Sequence, residues 1–98
     1  MARFDVYPAP DGGYWLDCQS DQFGALNSRF VAPLVEESER PAGDPRLTPV
    51  FEIDGIAYTM QTHLSGAVAA RLLRAPIANL VEHEYTIGAA LDLLLGRY

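Results

Sequence analysis

The sequence predicts a small α+β domain, mostly β, in which short antiparallel strands are followed by one C-terminal helix. Apolar and polar residues alternate in several short stretches, which is the period of half-buried strands. Turn residues separate these stretches, and an Asp-Gly pair of the kind found in two-residue hairpins joins two of them. The last part of the chain has a helical period instead. We therefore expect one domain over residues 1–98.

Three strands are predicted in the N-terminal half. Residues 3–7 and 14–18 alternate in polarity on either side of an Asp-Gly-Gly turn signal, so we expect them to form a hairpin. A third strand is predicted over Arg29–Val35. Pro33 lies within it and lacks a backbone N–H, which predicts an edge strand or a bulge.

An acidic loop rich in Pro and Gly follows over residues 36–46, and its sequence is EESERPAGDPR. It is interpreted either as a plain linker or as a binding loop. Beyond it, strands are predicted at 49–53 and 56–60, joined by Asp54-Gly55, because both central positions of a type I′ turn need positive φ. Residues 61–70 are predicted to be extended, and short strand-like pieces are expected at 71–73 and 77–80.

The terminal segment from Thr86 to Tyr98 has the apolar stripe of a helix that packs by one face. The stripe contains Ile87, Ala90, Leu91, Leu94 and Leu95. Gly96 is predicted to stop the helix because glycine adopts a left-handed conformation without a Cβ penalty. The helix would then deliver Arg97 and Tyr98 to the surface.

Composition restricts the function. Hydrophobic residues make up 49% of the chain and charged residues 20%, which is typical of a globular domain. The net charge is −6, and the seven basic residues are all arginines scattered along the sequence, which disfavours direct binding to a phosphate backbone. The sequence contains no apolar run of the length expected for a signal peptide or a membrane span, so a cytoplasmic protein that does not contact a membrane is expected.

The residues that could carry catalysis are few. Cys18 is the one cysteine, and we expect it to be a buried thiol. His83 lies between two glutamates but lacks the second histidine of a zinc motif, and His63 stands alone. We therefore predict no catalytic residue, no metal and no cofactor, and the residues alone favour a domain that works by binding protein.

Taken as a whole, the chain resembles the CcdB family, the toxins of the CcdA–CcdB toxin–antitoxin systems. The resemblance covers nearly the whole sequence and depends on the order and spacing of these blocks: RFDVY at 3–7, LDCQSD at 16–21, VAPL at 31–34, LTPVFEIDG at 47–55, MQT at 60–62, IANL at 77–80 and IGAALDLLL at 87–95.

The resemblance implies an SH3-like antiparallel barrel with a small extra sheet and a C-terminal helix. It implies a homodimer that binds the A subunit of DNA gyrase and traps the enzyme on cleaved DNA, with no catalysis of its own. A CcdA-like antitoxin with a disordered segment would remove the toxin from gyrase. Toxin and antitoxin together would repress their operon, so contact with DNA would be indirect, through the complex.

The resemblance places the gyrase contact in the tail, Leu95, Gly96, Arg97 and Tyr98. The best-known family members end in an aromatic-Gly-aliphatic tripeptide. If Gly96 is matched to its glycine, Leu95 and Arg97 stand at the aromatic and aliphatic positions, and without a gap Gly96 stands at the aromatic position. Tyr98 is therefore the candidate anchor. For the antitoxin, the loop residues Arg40, Asp44 and Arg46 are the predicted contacts.

Two alternatives stay open. One is a diverged relative that dimerises and binds antitoxin but no longer poisons gyrase, which the changed tail favours. The other is an endoribonuclease toxin, since MazF-like ribonucleases share the fold, although the net charge of −6 argues against it.

Overall fold

The computed structural model describes residues 1–97, and this part of the chain forms seven strands and one α-helix. Short 3-10 helices connect several of these elements. The strands and the helix are β1 (Asp5–Pro8), β2 (Tyr14–Asp17), β3 (Ser28–Glu36), β4 (Val50–Ile53), β5 (Ile56–Met60), β6 (Gly66–Ala69), β7 (Ala78–Asn79) and α1 (Glu84–Leu95). The predicted α+β class, mostly β with a C-terminal helix, is confirmed.

The strands form one antiparallel sheet that curls into a nearly closed barrel. The order is β4-β5-β3-β2-β1-β7, and β6 leaves this path to pair with β3. Strand β3 makes the curl feasible because its first half pairs with β6 and its last residues pair with β5, while β2 lies along its other edge. The SH3-like barrel is therefore confirmed, and β6 is its small extra element.

Pro33 was predicted to mark an edge or a bulge, and the edge prediction is wrong, because β3 is the most central strand. The Pro33 carbonyl accepts the Gln61 N–H at 2.8 Å. In a strand, the N and the C=O of one residue point to the same side, so the missing N–H faces the gap between β6 and β5. The proline therefore costs the sheet no ladder hydrogen bond.

The Asp54-Gly55 hairpin is confirmed, with φ values of 52° and 80° at its two central residues. The extended structure predicted over 61–73 is largely wrong. Two 3-10 helices, Thr62–Leu64 and Ala70–Leu72, flank β6. Local bonds such as Leu64 N–H to the Gln61 carbonyl (2.9 Å) turn the chain at these corners, and alternating polarity does not reveal them.

The core has two parts. The main cluster fills the barrel, and the helix closes it with Ile87, which is fully buried. Cys18 belongs to this cluster, as predicted, and its burial is the largest cause that raises the pKa of the thiol to about 12. A smaller cluster on the opposite face contains Tyr7, Val31 and Leu73.

One ion pair lies wholly inside the protein, between Asp17 on β2 and Arg29 on β3. Arg29 Nε and Nη2 lie 2.9 and 2.7 Å from Asp17 Oδ2, and both side chains are 0% exposed. Asp17 Oδ1 also accepts the Gln19 backbone N–H at 3.1 Å. Since isolated buried charges are strongly unfavourable, each partner depends on the other.

We expect Asp17→Leu or Arg29→Met alone to lower the free energy of unfolding by about 3–5 kcal/mol, because each leaves an uncompensated buried charge. The double replacement should cost much less than the sum. Urea unfolding of the four proteins measures the coupling. Additive losses would show that the two groups do not depend on each other.

Because the Cys18 thiol is buried, we expect the protein to lose stability in alkaline solution. The ordinary pKa is 9.0 and the folded value is about 12, so between these values the unfolded chain binds fewer protons and stability falls as the pH rises. In Cys18→Ala, the free energy of unfolding should fall by about 2 kcal/mol less between about pH 8 and about pH 10.5 than in the native protein. Burial also raises the pKa of Tyr7 to about 12. Because Tyr7 titrates in both proteins, its contribution cancels in the difference between their stability curves. Parallel curves for the two proteins would contradict the prediction.

A candidate protein-binding surface at the end of the terminal helix

The start of α1 is fixed to the barrel by side chains on β7 and β4. The Asn79 side-chain oxygen accepts the Val81 N–H at 2.8 Å, and the Asn79 amide donates to Asp5 Oδ1 on β1 at 2.9 Å. The rings of His83 and Phe51 lie 4.9 Å apart. The helix therefore leaves the barrel in a defined direction.

The end of α1 has the predicted geometry. Gly96 adopts the left-handed conformation with φ 77°, and its N–H donates back to the Leu93 carbonyl at 3.3 Å. The Arg97 N–H donates to the Asp92 carbonyl at 2.7 Å. These two bonds satisfy helix carbonyls that would otherwise lack partners. The chain beyond Leu95 is thus ordered by its backbone as far as Arg97.

The apolar stripe of α1 is only partly used in packing. Ile87 and Ala90 are fully buried, whereas Leu94 is 42% and Leu95 70% exposed. The prediction that the whole stripe packs is wrong for these last two residues. Leu64, 53% exposed, adds apolar surface on a 3-10 helix that packs against α1. We call Leu64, Leu94 and Leu95 the apolar patch.

A second surface of α1 borders the 37–49 loop. Tyr85, Ala89 and Leu93 are spaced four residues apart and share one side of the helix, where they line a groove of about 490 Å³ with Thr86, Pro45 and Arg46. Tyr85 is 86% exposed. We call this surface the helix groove.

The predicted antitoxin contacts fall in different places. Asp44 and Arg46 form an exposed ion pair, with Arg46 Nη2 2.9 Å from Asp44 Oδ2, and the hydrogen bonds from Arg46 hold the pKa of the Asp44 carboxyl below its usual value. Arg46 also lines the helix groove. Arg40 is exposed on the turn that follows β3, where its N–H donates to the Glu36 carbonyl at 3.0 Å. Of these three residues, only Arg46 lines the helix groove.

The tail residues predicted to contact gyrase lie at the surface. Leu95, Gly96 and Arg97 are exposed, and Tyr98 lies outside the described residues. Sequence reasoning missed Tyr85 and Leu64. Tyr85 was detectable as an aromatic in the first helical turn, off the buried stripe, whereas the exposure of Leu64 depends on a 3-10 helix that the sequence did not reveal.

The described histidine and cysteine side chains lie in different environments. Over residues 1–97, no group of three or more His, Cys, Asp and Glu side chains could hold a metal ion. His63 is exposed on its 3-10 helix, and Cys18 is buried. No helix in this part of the chain has the length and apolarity needed to cross a membrane. Exposed apolar side chains include those of the apolar patch and Tyr85 in the helix groove.

Comparison with known proteins adds a family and a fold. The family model described as CcdB protein matches residues 3–96. A search of curated protein sequences gave no match. Among solved structures, a protein titled "Endoribonuclease from Mycobacterial species" superposes with a TM-score of 0.80 at 14% identity, covering 98% of this chain and 91% of that one. At such low identity, this likeness shows the fold alone.

Proposed function

Because the chain belongs to the CcdB family, we propose that it is the toxin of a type II toxin–antitoxin system, which binds the A subunit of DNA gyrase and traps the gyrase–DNA cleavage complex in the cytoplasm. The observation that carries this proposal is the family match over nearly the whole chain. The toxin acts by binding and not by catalysis.

The tail is the proposed gyrase contact. Gly96 and the Arg97 N–H fix its direction, so little backbone entropy remains to be lost when Leu95 and Arg97 meet a partner. Tyr98 supplies the aromatic anchor, since aromatic residues and arginine dominate binding hot spots.

The apolar patch supports the proposed homodimer. Leu64 and Leu94 leave a leucine surface in water, which a second copy would cover across a two-fold axis, while Leu95 stays at its rim for the tail contact. A gyrase partner with a two-fold axis of its own would then make the same contact with the tail of each protomer. A CcdA-like antitoxin would neutralise the dimer through a segment that folds on binding, and the complex would repress the operon.

A supercoiling and cleavage assay with gyrase from the source organism tests the tail. The native protein should trap cleaved DNA, and Tyr98→Ala should lower its potency about 100-fold, the scale of a lost aromatic hot spot. Leu72→Ala is the control, because Leu72 is similarly apolar and 43% exposed but lies on another element.

The outcomes of this assay separate the candidate functions. A folded native protein that traps no cleaved DNA would overturn gyrase poisoning and favour a diverged relative that retains antitoxin binding. RNA incubated with the protein should stay intact. Cleavage of that RNA would favour the endoribonuclease alternative instead.

Sedimentation analysis tests the dimer. We expect the native chain to sediment as a dimer and Leu64→Glu as a folded monomer, because a carboxylate would be desolvated at the interface. Ile56→Glu, at a residue 45% exposed near the β4–β5 turn, should remain dimeric. A dimer that survives Leu64→Glu would place the interface elsewhere.

A further inference from the structure

A second concave surface lies away from the helix groove and shares no residue with it. It is a cleft of about 750 Å³ between the β1–β2 turn and the end of β3. Its walls include Asp11, Glu36 and Glu39, and its lining also contains the rings of Tyr14 and Tyr58. We call it the acidic cleft. Among residues 1–97, no arginine or histidine lines it.

One wall of the acidic cleft is held rigidly against β3. Gly13 has φ 67°, and a Cβ on it would lie 2.6 Å from the Leu34 carbonyl oxygen, so the turn approaches β3 more closely than any side chain would allow. The Ala9 N–H donates to the Gly13 carbonyl at 3.1 Å, and the Gly12 N–H donates to the Ala9 carbonyl at 3.2 Å. Asp11 is therefore presented from a fixed turn.

The opposite wall is also ordered. The Glu36 carbonyl accepts the N–H groups of Glu39 and Arg40 at 2.9 and 3.0 Å, and this single turn brings Glu39 back towards Glu36. Within the described chain, neither Glu36, Glu39 nor Asp11 takes part in an ion pair. Three carboxylates thus border one cavity in which no cationic side chain of residues 1–97 takes part in the lining.

The aromatic part of the cleft is suited to a flat cation. The rings of Tyr14 and Tyr58 meet edge to face, with centroids 5.1 Å apart and planes at 65°. Burial is the largest cause that raises the pKa of Tyr58, so its ring stays a neutral phenol. Tyr58 is 7% exposed and packs in the core, so the partly exposed Tyr14 ring is the one that a guanidinium would reach. A guanidinium also binds carboxylates through paired N–H donors, which an ammonium does less well.

We propose that the acidic cleft binds an arginine side chain of an extended segment of the antitoxin. The inference rests on the proposed function for the identity of the partner. Charge complementarity carries it: three carboxylates without a counter-ion, on a chain of net charge −6, select a cationic segment. The apolar lining, which includes Pro8 and Ile77, would cover the aliphatic stem of the arginine.

Titration of the ¹⁵N-labelled native chain with a capped Ala-Arg-Leu-Arg-Ala peptide tests the cleft. Backbone amide signals of Asp11, Gly12 and Glu39 should shift, and added salt should weaken binding. The same peptide with citrulline, which keeps the shape of arginine and loses its charge, should not bind. Equal binding of the citrulline peptide, or shifts confined to other parts of the surface, would overturn the proposal.

Matched variants then assign the carboxylates. The double variant Glu36→Gln/Glu39→Gln should bind the arginine peptide about tenfold more weakly, the scale of a lost charge-assisted hydrogen bond. Glu52→Gln/Glu82→Gln removes the same charge from two exposed residues outside the cleft and should bind normally. An equal loss in both double variants would mean attraction to the overall charge and would overturn the site.

The result is separable from the proposed function. Peptide binding needs no gyrase, so a chain that binds the arginine peptide in the cleft but traps no cleaved DNA would refute gyrase poisoning and support the cleft. A chain that traps cleaved DNA but does not bind the peptide would support gyrase poisoning and refute the cleft.

Discussion

The buried ion pair between Asp17 and Arg29 is the contact on which the rest of the barrel depends. The ion pair joins the end of β2 to the beginning of β3. The Asp17 backbone carbonyl also accepts the Phe4 N–H at 2.6 Å, which holds the residue before β1 against the end of β2. The Gln19 side chain then closes the loop between β2 and β3, accepting the Phe30 N–H and donating to the Phe23 carbonyl. Because both charges are desolvated inside the sheet, the loss of either partner would leave an uncompensated charge in the middle of the barrel.

Local chemistry explains which parts of this fold are predictable from sequence. Asp54-Gly55 and Gly96 require left-handed backbone, so their turn and helix end follow from the residues themselves. The 3-10 helices on either side of β6 do not follow from their own residues, because their i to i+3 hydrogen bonds form where the barrel requires the chain to turn. Likewise, helical spacing places Leu95 on the apolar stripe but does not tell where the barrel beneath that stripe ends.

The candidate surfaces divide by chemistry. The apolar patch and the helix groove present leucines and Tyr85, which suit burial against another folded surface. The acidic cleft presents carboxylates on fixed turns, which suit a flexible cationic chain. The groove and the cleft share no lining residue, so partners bound at these two surfaces would compete only through steric overlap of their other parts. The sequence could place the tail, but neither cavity, because each joins residues far apart in the chain.

The pairing of β1 with β7 brings Asp5 opposite Asn79, so one edge of the first strand is paired only by residues near the other end of the chain. During synthesis, the barrel therefore cannot close until about four fifths of the polypeptide has left the ribosome. The helix and tail follow later still. A truncated or stalled nascent chain therefore exposes unpaired strand edges, which favour aggregation and proteolysis.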